Sequence, residues 1–309
     1  MTGVATECFD FEMSLQMHKL ACEYAKGLQM HSLDGGDYFE TIRTDDDRKG
    51  MWELIQTDLF YHLIYNKPAT LYPSLDAWQV NLPWVSLDSP PDNGAQTATV
   101  SFLFRSRLTF VLIHFFQIIE KLGNESEALK AIEPLCHEVE VLFEDWGIED
   151  WIQRSVHDQM DLWILAAIVM AGNTSIIFML RKATLLNSNS PNPTTSDVNI
   201  PKTDFATRAS RRILDFMYRM LRIWRFPAAE TISYVLGAYR AHIAYAHVAS
   251  NVINSPTPGE MAEDLDLLDR VALVIGAAAE EESDFVPLAR AMKRINAEVR
   301  EQVNRARDG

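Results

Sequence analysis

The sequence predicts an all-α fold, an irregular bundle of about nine or ten helices forming a single large domain over residues 1–309. Three observations lead there. Apolar residues recur at spacings of three and four along most of the chain, the period that lines one face of a helix. No run of alternating β-branched residues bounded by turns marks a strand. Glycine, proline and asparagine fall between the periodic segments, where helices are stopped.

Phe11 to Gln29 reads as the first helix, with Leu15, Leu20 and Cys22 or Tyr24 as an apolar stripe against Glu12, Gln16, Lys19 and Glu23. His31 to Asp37, with Gly35-Gly36, reads as a turn. The next helix opens at Asp45. Thr44 or Asp45 can cap it, and three aspartates meet the unpaired N–H groups of its first turn. Trp52, Ile55, Leu59 and Leu63 share one face. Leu54, Phe60, Tyr61, Ile64 and Tyr65 widen that face until little is left for solvent, so this helix is expected to be central. Asn66 suits a left-handed cap, and Pro68 prevents resumption. An irregular segment then runs to Leu82-Pro83.

Ser86 to Thr99 reads as a loop by composition. Phe102 to Leu122 is a strongly apolar helix ended by Gly123-Asn124. Ser126 is the expected cap of the next, bent near Pro134 and continuing to Phe143. Asp150 to Leu186 reads as one long helix with a kink at Gly172-Asn173. Asn187 to Asp204 is rich in Asn, Ser, Thr and Pro and reads as a mobile insertion within the one domain. Helices are then expected over Phe205–Trp224, Ala229–Asn251, Glu260–Ala279 and Asp284–Arg305.

Composition narrows the function classes. Hydrophobic residues make up 48% and charged residues 23%, ordinary for a globular protein with a large core. Net charge is −15, which repels a phosphate backbone and argues against direct nucleic-acid binding. The basic residues between Arg208 and Arg225 alternate with Ile213, Leu214, Phe216 and Leu221, the pattern of a solvated face on an amphipathic helix. No basic, apolar leader opens the chain. Trp163 to Leu180 is the most apolar run; interrupted by Gly172, Asn173, Thr174 and Ser175, it reads as a core helix and not a membrane span. Cys8, Cys22 and Cys136 are odd in number and form no Cys-x-x-Cys pair, which points to free thiols in a reducing compartment.

Few constellations suggest chemistry. Asp58 and His62, four apart, can touch, and a carboxylate that orients a histidine is the skeleton of a general base. Alternatively, Asp58 pairs with Arg48 or Lys67 and pins the loop after the helix. His242 and His247 are five apart, about 140° round a helix, so they cannot chelate from one face. No cysteine or carboxylate stands at ligand spacing from them, so no metal is expected. His157, Asp158 and Asp161 form an acidic–imidazole group that surface polarity explains as well. There is no phosphate loop, nucleophile elbow or His-Glu-x-x-His, and no cofactor is expected. Trp52, Tyr61, Tyr65, Trp78 and Trp84 are the aromatics placed to line a ligand cavity, should one exist between helices.

The segment from Arg48 to Pro83 resembles the signature of the fungal-specific transcription factor domain, the middle homology region of zinc-cluster regulators. That pattern runs Arg-x-x-Phe-Trp, then Asp, then Gly-Arg-Pro, then a loop ending in Leu-Pro. Here it is met by Arg48, Met51-Trp52, Asp58, Asn66-Lys67-Pro68 and Leu82-Pro83 without a gap. Upstream, Ala25-x-x-Leu28-Gln29-Met30-His31 is similar to the family's Ala-x-x-Leu-Gly-Leu-His. Met51, Asn66 and Lys67 depart from Phe, Gly and Arg, and Leu59 stands where a basic residue often follows the Asp. The resemblance implies a helical regulatory module of transcription in the nucleus, with the cytoplasm an alternative. It would act through protein partners or self-association, or by sensing a small hydrophobic ligand. The six-cysteine DNA-reading cluster is missing from this chain. The competing expectation is a secondary-metabolism enzyme or ligand carrier of cyclase or isomerase type. In that case Asp58, His62, Tyr61 and Tyr65 would be the acid–base groups.

Overall fold

A computed structural model describes residues 11–32, 44–71, 80–83, 93–186, 200–255 and 261–308. All regular structure in these residues is helical, in one compact domain, as the apolar periodicity predicts. In chain order the α-helices are α1 (Phe11–Gly27), α2 (Asp45–Tyr65), α3 (Asn93–Ile119), α4 (Glu125–Asp145), α5 (Ile148–Arg154), α6 (Gln159–Leu185), α7 (Asp204–Tyr218), α8 (Ala228–Gly237), α9 (Ala241–Ile253), α10 (Ala262–Glu281) and α11 (Val286–Asp308). Trp78, Trp84, Cys8, residues 33–37 of the predicted turn and residues 86–92 and 187–199 of the two predicted loops lie outside the described residues.

The hub is α6, not α2. It packs against α2, α3, α4, α5 and α7. Its stretch from Ile168 to Leu180 is buried almost without interruption. A helix apolar on every side needs an apolar surrounding, and here the middle of the bundle supplies it. The apolar stretch Gln96–Ile119 within α3, like α6, is long and apolar enough to cross a membrane, yet 78% of the apolar window of α6 is buried inside the bundle. Helix α6 does not break at Gly172. A Cβ on Gly172 would lie 2.5 Å from Cζ of Phe143, so the glycine is there for the close approach of α4. The second half of the molecule is organised by α7, which packs on α6, α9 and α10.

Helix ends account for the other departures. Asn124, not Ser126, caps α4 by accepting from the N–H of Glu127. Pro134 sits inside α4, which continues through it with Ile132, Leu135 and Val139 all buried. Asp158 caps α6 by accepting from the N–H of Asp161, and so separates α5 from α6. Arg240, with φ 53°, breaks the predicted helix over Ala229–Asn251 into α8 and α9. Helix α3 begins before the predicted loop ends, because Thr97 and Val100 are buried. The end of the predicted insertion is likewise packed: Ile200 belongs to the core, and Thr203 caps α7 through the N–H of Ala206.

The basic residues of α7 lie on its solvent-facing side, as the amphipathic pattern predicts, with Arg208 and Arg211 exposed, and they also make contacts with neighbouring helices. Arg208 forms a two-pronged pair with Glu140 of α4, at 2.8 and 2.9 Å. Arg211 does the same with buried Asp264 of α10, at 2.6 and 2.8 Å. Arg212 lies over the ring of Phe143. They tie α7 to its neighbours.

Candidate functional site

Where α2, α3, α6 and the α8–α9 junction meet, they leave a cavity of about 370 Å³. That size suits a small organic molecule. Helix α2 supplies Gln56, Phe60 and Tyr61; α3 supplies Ser101, Arg105 and Thr109. The space exists because α6 presents Ala167 and Ala171 beside Trp163. Arg240's left-handed backbone ends the junction and sets Tyr239 against the cavity. Trp163 stacks on Tyr234 with ring centres 5.2 Å apart. Tyr239 meets Tyr234 and Phe60 edge-on, at 5.1 and 6.0 Å.

Proton accounting shows which polar groups are spoken for. The Tyr239 hydroxyl donates to the carbonyl of Ala167 at 3.3 Å, so Tyr234 donates to Tyr239 at 3.0 Å. Burial, followed by the neighbouring Tyr234, pushes the Tyr239 phenol well above its ordinary range. Thr109 donates to the carbonyl of Arg105, and Thr57 to that of Glu53. Ser106 donates to the carbonyl of Phe102 at 2.8 Å and so must accept from Gln56. That acceptance fixes the Gln56 amide, with Nε2 at 3.0 Å from Ser106 Oγ. Gln56 Oε1 is then left buried with no hydrogen-bond partner among the described residues. A buried acceptor without a donor costs about 1–3 kcal/mol. Arg105, half-buried on the same wall, pairs with no carboxylate among the described residues. The aromatic wall thus carries, among the described residues, a guanidinium with no carboxylate partner and a glutamine whose Oε1 has no hydrogen-bond partner.

A second group lies where α1 crosses α2. Asp58 is the anchor of the chain after α2. Its Oδ1 accepts from the N–H of Thr70 at 3.0 Å and its Oδ2 from the N–H of Leu71 at 2.7 Å. Its Oδ1 also lies 3.2 Å from Nε2 of His18, which lies 3.3 Å from Sγ of Cys22. Burial raises the Asp58 pKa, but the hydrogen bonds from His18, Leu71 and Thr70 outweigh it and hold the carboxyl below its usual range. Asp58 pins the loop, as one of the two expectations has it, through backbone N–H groups and not through Arg48 or Lys67. Arg48 pairs with Asp45. The histidine that Asp58 holds is His18, while His62 turns its Nδ1–H to the carbonyl of Lys67. The acid–base skeleton expected of Asp58 and His62 is thus not what the geometry presents.

Of the five aromatics expected around a cavity, Tyr61 lines it. Tyr65 stands behind Tyr61, ring centres 5.5 Å apart, beneath the guanidinium of Arg240. Trp52 is core: it is 6% exposed, packs on Phe110 and donates its indole N–H to the carbonyl of Asn81 at 3.1 Å. That bond ties the start of the signature to its end, beside buried Pro83. Pro68 is exposed after the α2 cap. Asn66, the cap, has φ 53° and accepts from Lys182 at 3.1 Å. His31 lies in the turn Met30–Ser32, where its Nδ1 is buried with no hydrogen-bond partner among the described residues. Gln29 just before it has φ 57°.

Sequence reasoning alone misses Phe60, Arg105, Trp163, Tyr234 and Tyr239 as cavity residues. It also misses His18 and Cys22. No family model, curated protein or solved structure matches this chain.

Proposed function

We propose that the chain is a regulatory module that binds a small aromatic acid in the α2–α3–α6 cavity, and that its setting is transcription control in the nucleus of a fungal cell. The observation that carries the binding half is the pairing of Arg105, without a carboxylate among the described residues, with the orphaned Oε1 of Gln56 on an aromatic wall. A ligand with a carboxylate for Arg105 and a hydroxyl or N–H for Gln56 would satisfy both. Flat polyketide-like or phenolic acids have that form, and the rings of Trp163, Tyr234 and Phe60 offer faces and edges to stack on. The phenol protons of Tyr234 and Tyr239 are committed to each other and to a backbone carbonyl, which favours holding a ligand over transferring protons to it.

The regulatory half rests on the resemblance to the fungal transcription factor domain. Gln29 and Asn66 stand where that pattern carries glycine, and both have positive φ, the conformation glycine adopts most readily. Trp52, Asp58 and Asn66 each reach another part of the chain, as signature residues with a structural role should. Occupancy of the cavity would change how the bundle meets a protein partner or a second copy of itself.

The test is a reporter. The chain is fused to an unrelated DNA-binding module and hydroxynaphthoate, an aromatic acid with a donor, is supplied to the cells. Reporter output should change with dose, and the change should vanish in Arg105→Met. An unchanged output in the parent, or conversion of the acid by the purified protein, would sink this reading.

A further inference from the structure

We propose that His18, Cys22 and Asp58 form a zinc site. His18 and Cys22 are four apart on α1, so they stand one turn apart on the same face. That face is turned to α2, where Asp58 waits. All three side chains are buried, and their donor atoms lie within 4.8 Å of one another. The two distances that meet at His18 are 3.2 Å, Nε2 to Asp58 Oδ1, and 3.3 Å, Nε2 to Cys22 Sγ. A tetrahedral zinc with bonds of about 2.0 Å to nitrogen and oxygen and about 2.3 Å to sulfur separates its ligands by about 3.3 Å (N to O) and about 3.5 Å (N to S). The site already has those edges.

Hydrogen bonding serves the arrangement only in part. One nitrogen, Nε2, faces both an acid oxygen and a sulfur. If Nε2 carries the proton and gives it to Asp58, the thiol is left against an N–H. If Nε2 is bare and accepts from the thiol, the Asp58 oxygen faces its lone pair. In the first case the single N–H is shared between the two contacts, and in the second the Asp58 contact has no proton in it. A cation at the centre turns both into ligand bonds at once. Its arrival would deprotonate the thiol, as a coordinated thiol is, and release that proton to solvent.

The surroundings fit. The N–H groups of Thr70 and Leu71 hold the Asp58 carboxylate in place from behind, the support that metal-ligating carboxylates carry. A second cavity, about 450 Å³, is walled by His18 and Asp58 and by Tyr61 and Pro68. It gives the ion a path in and leaves room for water as the fourth ligand. Nitrogen, sulfur and oxygen donors in tetrahedral spacing select zinc over magnesium or calcium, which take oxygen alone.

The experiment uses the full chain, reduced and freed of metal by chelator. Cobalt(II) is titrated in as a coloured stand-in for zinc. One equivalent should produce the intense visible bands of a tetrahedral ion and a thiolate-to-cobalt charge-transfer band, and zinc should bleach both. Cys22→Ser should lose the charge-transfer band, and Cys136→Ser should keep it. No saturable cobalt spectrum in the parent overturns the proposal, and so does a band that survives Cys22→Ser. If Cys22→Ser does not fold, the parent decides: zinc should raise its melting temperature with a one-to-one dependence, and an unmoved midpoint overturns the site.

Discussion

Gly172→Ala should destabilise the protein although alanine is the better helix former. In an unconstrained helix interior the change gains about 1 kcal/mol. At position 172 the new methyl would sit 2.5 Å from Cζ of Phe143, with Cε2 and Cε1 at 3.2 and 3.4 Å. The ring has little room to retreat. Phe143 is 4% exposed, packs on Phe104 with ring centres 5.1 Å apart, and has the Arg212 guanidinium 4.7 Å from its own centre. Forcing an extra carbon into such a core costs about 1–3 kcal/mol. The net is a loss of up to about 2 kcal/mol, a few degrees in melting temperature. Gly276 in α10 is the internal control, because a methyl group at that position would meet nothing within 4 Å. Gly276→Ala should therefore stabilise, by up to about 1 kcal/mol. Urea denaturation of both variants, with Phe143→Leu added to Gly172→Ala, completes the assay. The smaller ring-free side chain should recover part of the loss, with a coupling above about 0.5 kcal/mol. A Gly172→Ala protein as stabilised as Gly276→Ala would refute the close-approach argument.

The same packing sets three other outcomes. Trp52→Ala should cost about 3–5 kcal/mol in chemical denaturation and Trp52→Phe much less; a fully stable Ala variant would remove Trp52 from the core. Thr203→Ala should cost about 1 kcal/mol, since it uncaps α7; an unchanged midpoint would mean the Ala206 N–H finds another acceptor. Lys182 should give a pH signature, because burial pushes its amine down to about 8 from 10.5. Between those values the unfolded chain binds the extra proton, so the parent should gain stability relative to Lys182→Met as pH rises from about 8 to 10.5. A constant difference across that window would contradict the burial of the amine.

The helices are legible in the sequence because periodicity and caps are local. Thr44, Asn66 and the apolar face of α2 can be read directly, and the structure keeps all three. Breaks set by one backbone conformation are not legible. Arginine at position 240 gives no hint of a positive φ, so α8 and α9 read as one helix. Pro134 suggests a bend that the buried faces of α4 override. The sites escape for a different reason. Tyr61 is found because it neighbours the signature, but Arg105, Trp163 and Tyr239 come from three other elements. Their convergence is a product of packing. His18 and Cys22 carry a readable signal, a histidine and a cysteine one helical turn apart. Its third member lies 40 residues on, and helical spacing alone points Asp58 to His62 instead.

The central claim is that the α2–α3–α6 cavity holds an aromatic acid through Arg105. Calorimetric titration of hydroxynaphthoate into the parent and into Arg105→Met tests it most directly, with the corresponding naphthyl alcohol as the uncharged comparison. The account predicts saturable one-to-one binding of the acid by the parent. It predicts a loss of about ten- to a hundred-fold in Arg105→Met, the worth of one charge-assisted hydrogen-bonded contact, and no such loss for the alcohol. Binding of the acid that is equally tight in the variant, or absent from the folded parent, would contradict it.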